Sequence, residues 1–102
     1  MSATMIAFYK EPADREKLEK HLFEVHFPLV RKLPGLVKME ANRFSGKGAP
    51  YYLMVTLYFN SKDERKAALM TSPEGQAVTA DTQSNVPADK IVVAFADTVD
   101  TE

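Results

Sequence analysis

His26 is followed by Phe27, Pro28 and Leu29, which sets an imidazole and a proline inside an otherwise apolar helical run. Histidine changes charge near neutral pH, so it suits the taking and returning of a proton. Pro28 has no N–H to offer the carbonyl of Glu24, and its ring crowds that turn. A bend is expected there, opening space beside the imidazole. At about 100° per residue, Leu18, Leu22, Val25, Leu29, Val30 and Leu33 form one stripe, and His26 lies within it. Two readings stay open: a core histidine bonded to a backbone carbonyl, or a protected acid/base in a small-molecule pocket that Pro28 and Leu29 also line. His21 falls at the edge of the stripe and is expected to be solvated. Its separation of five from His26 puts the two rings on different faces, so no metal pair is expected.

The tyrosines are the other groups with chemistry to offer. A phenol in a cavity can hold an oxygenated ligand or stabilise an enolate; otherwise it packs with a wet hydroxyl. Tyr9 ends the first predicted strand, while Tyr51, Tyr52 and Tyr58 belong to the third. By alternation Tyr51 shares a face with Leu53 and Val55, so it is expected on the helix side with His26. Tyr52 and Tyr58 are expected on the opposite face. Lys38, Glu40 and Asn42 share the outer face of the second strand and read as polar contacts rather than a catalytic set.

The elements that must position these residues can be read locally. Thr4 to Tyr9 is a strand. Asp14 caps a helix that runs to about Leu33 and stops at Pro34-Gly35. Leu36–Phe44 and Tyr51–Phe59 form a hairpin across the Gly-rich segment Ser45–Pro50. Ser61 to Glu64 has capping-box spacing and starts a second helix. Ser72 and Pro73 restart it as cap and first helical residue, and it ends near Pro87. Lys90 to Ala96 is the fourth strand. The order βαββαβ, with right-handed crossovers, implies a single α+β domain over residues 1–102. It is ferredoxin-like, a four-stranded antiparallel sheet with helices on one face. The uncovered face is unusually apolar, with Tyr52, Met54, Thr56, Tyr58, Val92, Ala94 and Ala96. A second copy, sheet against sheet about a two-fold axis, is the simplest cover.

Composition narrows the function classes. The 102 residues carry 13 Lys and Arg against 14 Asp and Glu, a net charge of −1 that argues against nucleic acid or an anionic membrane surface. With no cysteine, thiolate catalysis, thiolate metal sites and disulfides are excluded. No stretch approaches the roughly 20 apolar residues of a membrane span, and the N-terminus lacks a signal-like pattern, so a cytoplasmic protein is expected. Lys47-Gly48 precedes an aromatic strand, but Ala49-Pro50 breaks any RNA-recognition pattern. No phosphate loop or nucleophile elbow is present.

Two segments carry a family likeness: His26-Phe27-Pro28-Leu29-Val30, with Gly35-Leu36 downstream, and Ser72-Pro73-Glu74-Gly75-Gln76-Ala77, followed by Asp81. In order and separation they resemble the EthD-like family of the dimeric α/β-barrel superfamily, and the likeness extends over nearly the whole chain. The resemblance implies a homodimer in which two sheets form a barrel, each subunit enclosing a cavity lined by the counterpart of His26. The family is linked to the breakdown of ethers and other small organic compounds, and relatives isomerise methylated lactones without a cofactor. No cofactor is therefore implied, and no nucleotide-binding motif supports a reductase. Relatives often carry a tyrosine just before the His-x-Pro-Leu element, where this chain has Leu22 and Phe23. That leaves Tyr9 or Tyr51 as the polar helper of His26.

Three readings follow. One is a cofactor-independent enzyme on a small apolar oxygenated compound (a lactone, ring ketone or phenol), with His26 moving a proton. The second is a dimeric carrier or sensor of such a compound. The third is a structural dimer with a vestigial cavity. Haem degradation, known in the superfamily, ranks below these because the chain has no tryptophan.

Overall fold

The computed structural model describes residues 2–102. Strand β1 (Ala3–Tyr9) leads to helix α1 (Arg15–His21), whose N–H of Lys17 donates to the Asp14 carboxylate cap at 3.1 Å. A π-helical turn (Leu22–His26) and α2 (Phe27–Val30) continue without leaving helical backbone angles. Within that wide turn the N–H of Phe27 donates to the carbonyl of Leu22, five residues back rather than four. The disruption expected from Pro28 takes this form. One extra residue is wound in ahead of the proline, which then sits at the start of α2, where a missing N–H costs little.

The chain turns at Gly35, whose φ of +76° is open to glycine and strained for other residues. It then forms β2 (Leu36–Arg43) and β3 (Leu53–Phe59). The second crossover has α3 (Lys62–Lys66), capped by Ser61, then a second π-helical turn (Ala67–Thr71) and α4 (Pro73–Asn85), capped by Ser72. A short 3₁₀ turn (Ala88–Lys90) delivers β4 (Ile91–Asp97).

The strands pair antiparallel throughout in the order β2-β3-β1-β4. This is the α+β ferredoxin-like arrangement that the order of elements implies. Alternation along β1 and β3 sends Met5, Ala7, Tyr9, Leu53, Val55, Leu57 and Phe59 under the helices. Phe59, Leu57, Leu22, Phe27 and Val30 are the largest fully buried side chains, each contributing roughly 1.5–3 kcal/mol by leaving water.

Two local expectations are corrected. Val25 is 43% exposed, whereas Phe27 is 2% exposed, because the π-helical turn rotates the inward stripe away from the 100° projection. The third strand begins at Leu53 rather than Tyr51, and the alternation fails just before it. Tyr52 joins the core beside Leu53, with the Arg15 guanidinium 4.8 Å over its ring. Tyr51 stacks on Phe8 and Phe44, at centroid distances of 4.8 and 6.0 Å. Phe8 alternates with the inward Ala7 and Tyr9, so Tyr51 lies on the open face, away from His26.

Candidate functional site

The inward faces of β1, β3 and β4, roofed by α4 and the wide turn of the first crossover, border an open-sided cavity of about 190 Å³. Its wall is mostly aliphatic, with Met5, Ala7, Val30, Val55, Leu57, Leu69, Val78 and Ile91. Its polar groups are His26, Tyr9, Thr79, Thr82 and Gln83. Met70, Val93 and Phe95 form an exposed apolar edge where the helices stop short of β4. Such a space suits a small apolar body oriented by a few polar contacts.

His26 is 6% exposed, and its Nδ1 lies 2.8 Å from Asp81 Oδ2. The same carboxylate meets His21: its Nε2 is 2.9 Å from Oδ2 and 3.0 Å from Oδ1. The expectation of a solvated His21 on a different face from His26 is therefore corrected. The spacing of five separates two residues on an α-helix, but the π-helical turn between them adds the residue that brings both rings to one acid. Among the described residues no group of three or more His, Cys, Asp or Glu side chains is placed to hold a metal ion.

Burial alone would raise the Asp81 carboxyl pKa. Hydrogen bonds from His21 and His26, with the charges of those rings, outweigh it and hold the acid below its ordinary range. An ionised carboxylate only accepts hydrogen bonds. His26 must therefore donate from Nδ1 and His21 from Nε2, and neutral His26 carries its free lone pair on Nε2. Among the described residues that nitrogen makes no hydrogen bond. It is not sealed off either, since Tyr52 Oη is the one fully buried, unpartnered side-chain N or O atom among the described residues. A base nitrogen thus has access to space beside an apolar cavity.

Tyr9 is 2% exposed and lines the same cavity. Burial first, and the negative Asp81 second, push its phenol up to about 12, so it stays protonated and a hydrogen-bond donor. Of the other residues read as ligand contacts, Tyr51 is on the far face, Pro28 is exposed and Leu29 packs on the core; none of the three lines this cavity. Asp81 is the residue that reading for chemistry missed. Its signal is modest: an acid three residues after the buried Val78, on the inward face of α4.

The open face of the sheet carries Lys38, Glu40 and Tyr58 as a polar group. Lys38 Nζ is 3.3 Å from Glu40, and the Tyr58 hydroxyl donates to Glu40 at 3.2 Å.

Residues 10–86 match the model of the EthD domain. The chain belongs to the EthD family. It is similar to an ethyl tert-butyl ether D (EthD) family protein from Bacillus halodurans C-125. Their identity is 28% and their TM-score 0.89, over 97% of this chain and 100% of that one. A dimeric ferredoxin-like protein of unknown function from Jannaschia sp. CCS1 shares the fold at 16% identity and TM-score 0.68, covering 96% and 100%. So does SnoaB, a cofactor-independent oxygenase from Streptomyces nogalater, at 11% identity and TM-score 0.69, covering 98% and 95%. Comparison with curated proteins gave no match. The EthD element His26-Phe27-Pro28-Leu29 and the Asp81 that follows the second-helix signature meet at the hydrogen bond described above. No described helix is long and apolar enough to cross a membrane.

Proposed function

We propose that this EthD protein is a cytoplasmic, cofactor-independent acid/base enzyme of degradative metabolism. Its substrate is a small apolar oxygenated compound: a lactone, a ring ketone or a phenol. The observation that carries this reading is the 2.8 Å bond from His26 Nδ1 to Asp81, which leaves Nε2 as the free base beside an apolar cavity. Asp81 keeps the ring in that tautomer and stabilises the imidazolium once a proton has been taken.

For a carbonyl compound, His26 Nε2 takes a proton from the carbon next to the carbonyl. The C–H bonding pair moves into the carbon framework and negative charge gathers on the carbonyl oxygen. The Tyr9 hydroxyl, protonated well above neutral pH, donates to that oxygen. Where a carbon–carbon double bond is conjugated with the resulting enolate, return of the proton from His26 to the far carbon of that dienolate shifts the double bond and completes an isomerisation with no redox change. The aliphatic wall limits the water around these polar contacts and so strengthens them. The working unit is proposed to be a homodimer packed through the open sheet face, in keeping with similar folds described as dimeric.

The test is exchange of carbon-bound hydrogen. Ring ketones and lactones incubated with the protein in D₂O should gain deuterium next to the carbonyl, and His26→Gln should slow this by about 10²–10⁴-fold while ligand binding persists. Binding with no exchange by either protein would favour the carrier reading instead.

A further inference from the structure

Asp81 bonds two rings that border different spaces. His26 lines the cavity described above, whereas His21 lines a larger outer hollow of about 670 Å³. Asp81 itself lines neither. Side-chain exposure falls from the outer ring inwards: 23% for His21, 11% for Asp81 and 8% for His26. His21 therefore covers the acid on its outer side.

The contacts on the carboxylate are unequal. His26 Nδ1 reaches Oδ2 alone, at 2.8 Å. His21 Nε2 straddles the group, 2.9 Å from Oδ2 and 3.0 Å from Oδ1. Asn85 Nδ2 donates to Oδ1 at 3.1 Å and to the Asp81 carbonyl at 2.9 Å. An ionised carboxylate offers about four lone-pair sites, and these contacts on Oδ1 and Oδ2 fill them. The torsion that spins a carboxylate is soft, so one bond to one oxygen does not fix it. A donor laid across both oxygens does. The backbone is wound to supply that donor. On an α-helix, rings five residues apart point about 140° away from each other. In a π-helical turn the residue five on is the stacked neighbour, and the turn Leu22–His26 brings His26 over His21.

We infer that His21 is a positioning residue: its Nε2–H fixes the Asp81 carboxylate so that Oδ2 meets His26 Nδ1, and its ring keeps solvent of the outer hollow off that acceptor. This rests on the reading of His26 as the base. His21 acts through Asp81 and not on the substrate, because it lines the outer hollow and not the cavity beside His26. Without it, the carboxylate turns more freely and solvent competes for Oδ2, so His26 loses its single tautomer.

The test pairs two variants of the full chain. His21→Phe keeps a flat ring and loses the donor, whereas His21→Gln keeps a donor near the place of Nε2. Nitrogen-15 NMR near neutral pH follows the His26 ring, and gain of deuterium by a ring ketone in D₂O follows catalysis. In His21→Phe the Nδ1–H tautomer of His26 should give way to a mixture. The kcat for exchange should fall about tenfold, within the range lost when a catalytic group is misplaced, with KM little changed. His21→Gln should restore both readouts. A folded His21→Phe protein with the parent's tautomer and rate would overturn the inference, as would a His21→Gln variant no better than His21→Phe. Should His21→Phe fail to fold, the parent decides. A His21 proton on Nε2 that exchanges slowly with water supports the inference, and a His21 protonated on Nδ1 overturns it. A parent that exchanges no carbon-bound hydrogen sinks the acid/base reading of His26 along with this one. A parent that exchanges and is indifferent to His21→Phe sinks this inference alone.

Discussion

The two crossovers use the same backbone device to different ends. Each widens into a π-helical turn, Leu22–His26 in the first and Ala67–Thr71 in the second, and each has a proline shortly afterwards. In the first, helical angles continue through Phe27, and the added residue swings two histidines onto one acid. In the second, the chain leaves the helix at Ser72, with ψ of 149°, and begins α4 afresh. There the turn is locked by packing. The Ser72 hydroxyl donates to the Ala68 carbonyl at 2.6 Å and accepts from the N–H of Gly75 at 2.9 Å. Gly75 lies so close that a Cβ would overlap the Ala68 carbonyl oxygen. A wide turn is thus a neutral device. What it places, polar groups or a tight backbone contact, decides whether it serves chemistry or stability.

The largest effect should come from breaking the packed turn. Gly75→Ala sets a methyl group against backbone, which cannot move as a side-chain tip could. It should cost about 3 kcal/mol or more, read as a lower midpoint in urea unfolding.

The polar turn breaks differently. Asp81→Asn should slow carbonyl-adjacent hydrogen exchange by about 100-fold and cost roughly 1–3 kcal/mol of stability, because the buried His26 and the half-buried His21 lose their shared carboxylate. It should also alter the acid limb of the stability profile. The Asp81 pKa is lowered by folding, so its contribution is present above the ordinary carboxylate range and is lost as pH falls through the folded value. Stability measured from pH 5 downwards should therefore decline less steeply in Asp81→Asn than in the parent.

Tyr9 gives the alkaline counterpart. Its phenol keeps its proton to about 12 in the fold, against 10.0 for an ordinary tyrosine. Between those values the unfolded chain loses a proton that the native one retains, so stability falls with rising pH, by on the order of 2 kcal/mol in total. Tyr9→Phe should flatten that decline. Smallest of all, Ser72→Ala removes one cap and should cost about 1 kcal/mol, visible as a modest shift in Tm with activity unchanged.

Much of the frame is legible in the sequence because its signals are local. Asp14, Ser61 and Ser72 bond backbone groups three residues on, and each caps its helix where the spacing puts it. The inward residues of β3 from Leu53 to Phe59 follow alternation without a slip. The failures occur where one residue is gained or lost. The wide turn after His21 makes a 100° projection misplace Val25, Phe27 and His21 together. The break in alternation ahead of Leu53 exchanges the faces of Tyr51 and Tyr52. Asp81 is hard to see for another reason: it lies 55 residues from His26, and only the packing of α4 against the first crossover gives it a role.

The proposed role of Asp81 is to hold His26 so that Nε2 is the free base beside the cavity. Nitrogen-15 NMR of the histidine rings near neutral pH tests it most directly, with Asp81→Asn as comparator and a ring ketone as probe. His26 is expected to carry its proton on Nδ1, Nε2 to shift when the ketone binds, and the single tautomer to be lost in Asp81→Asn. A His26 protonated on Nε2, or an Nε2 signal that no ligand moves, would contradict it.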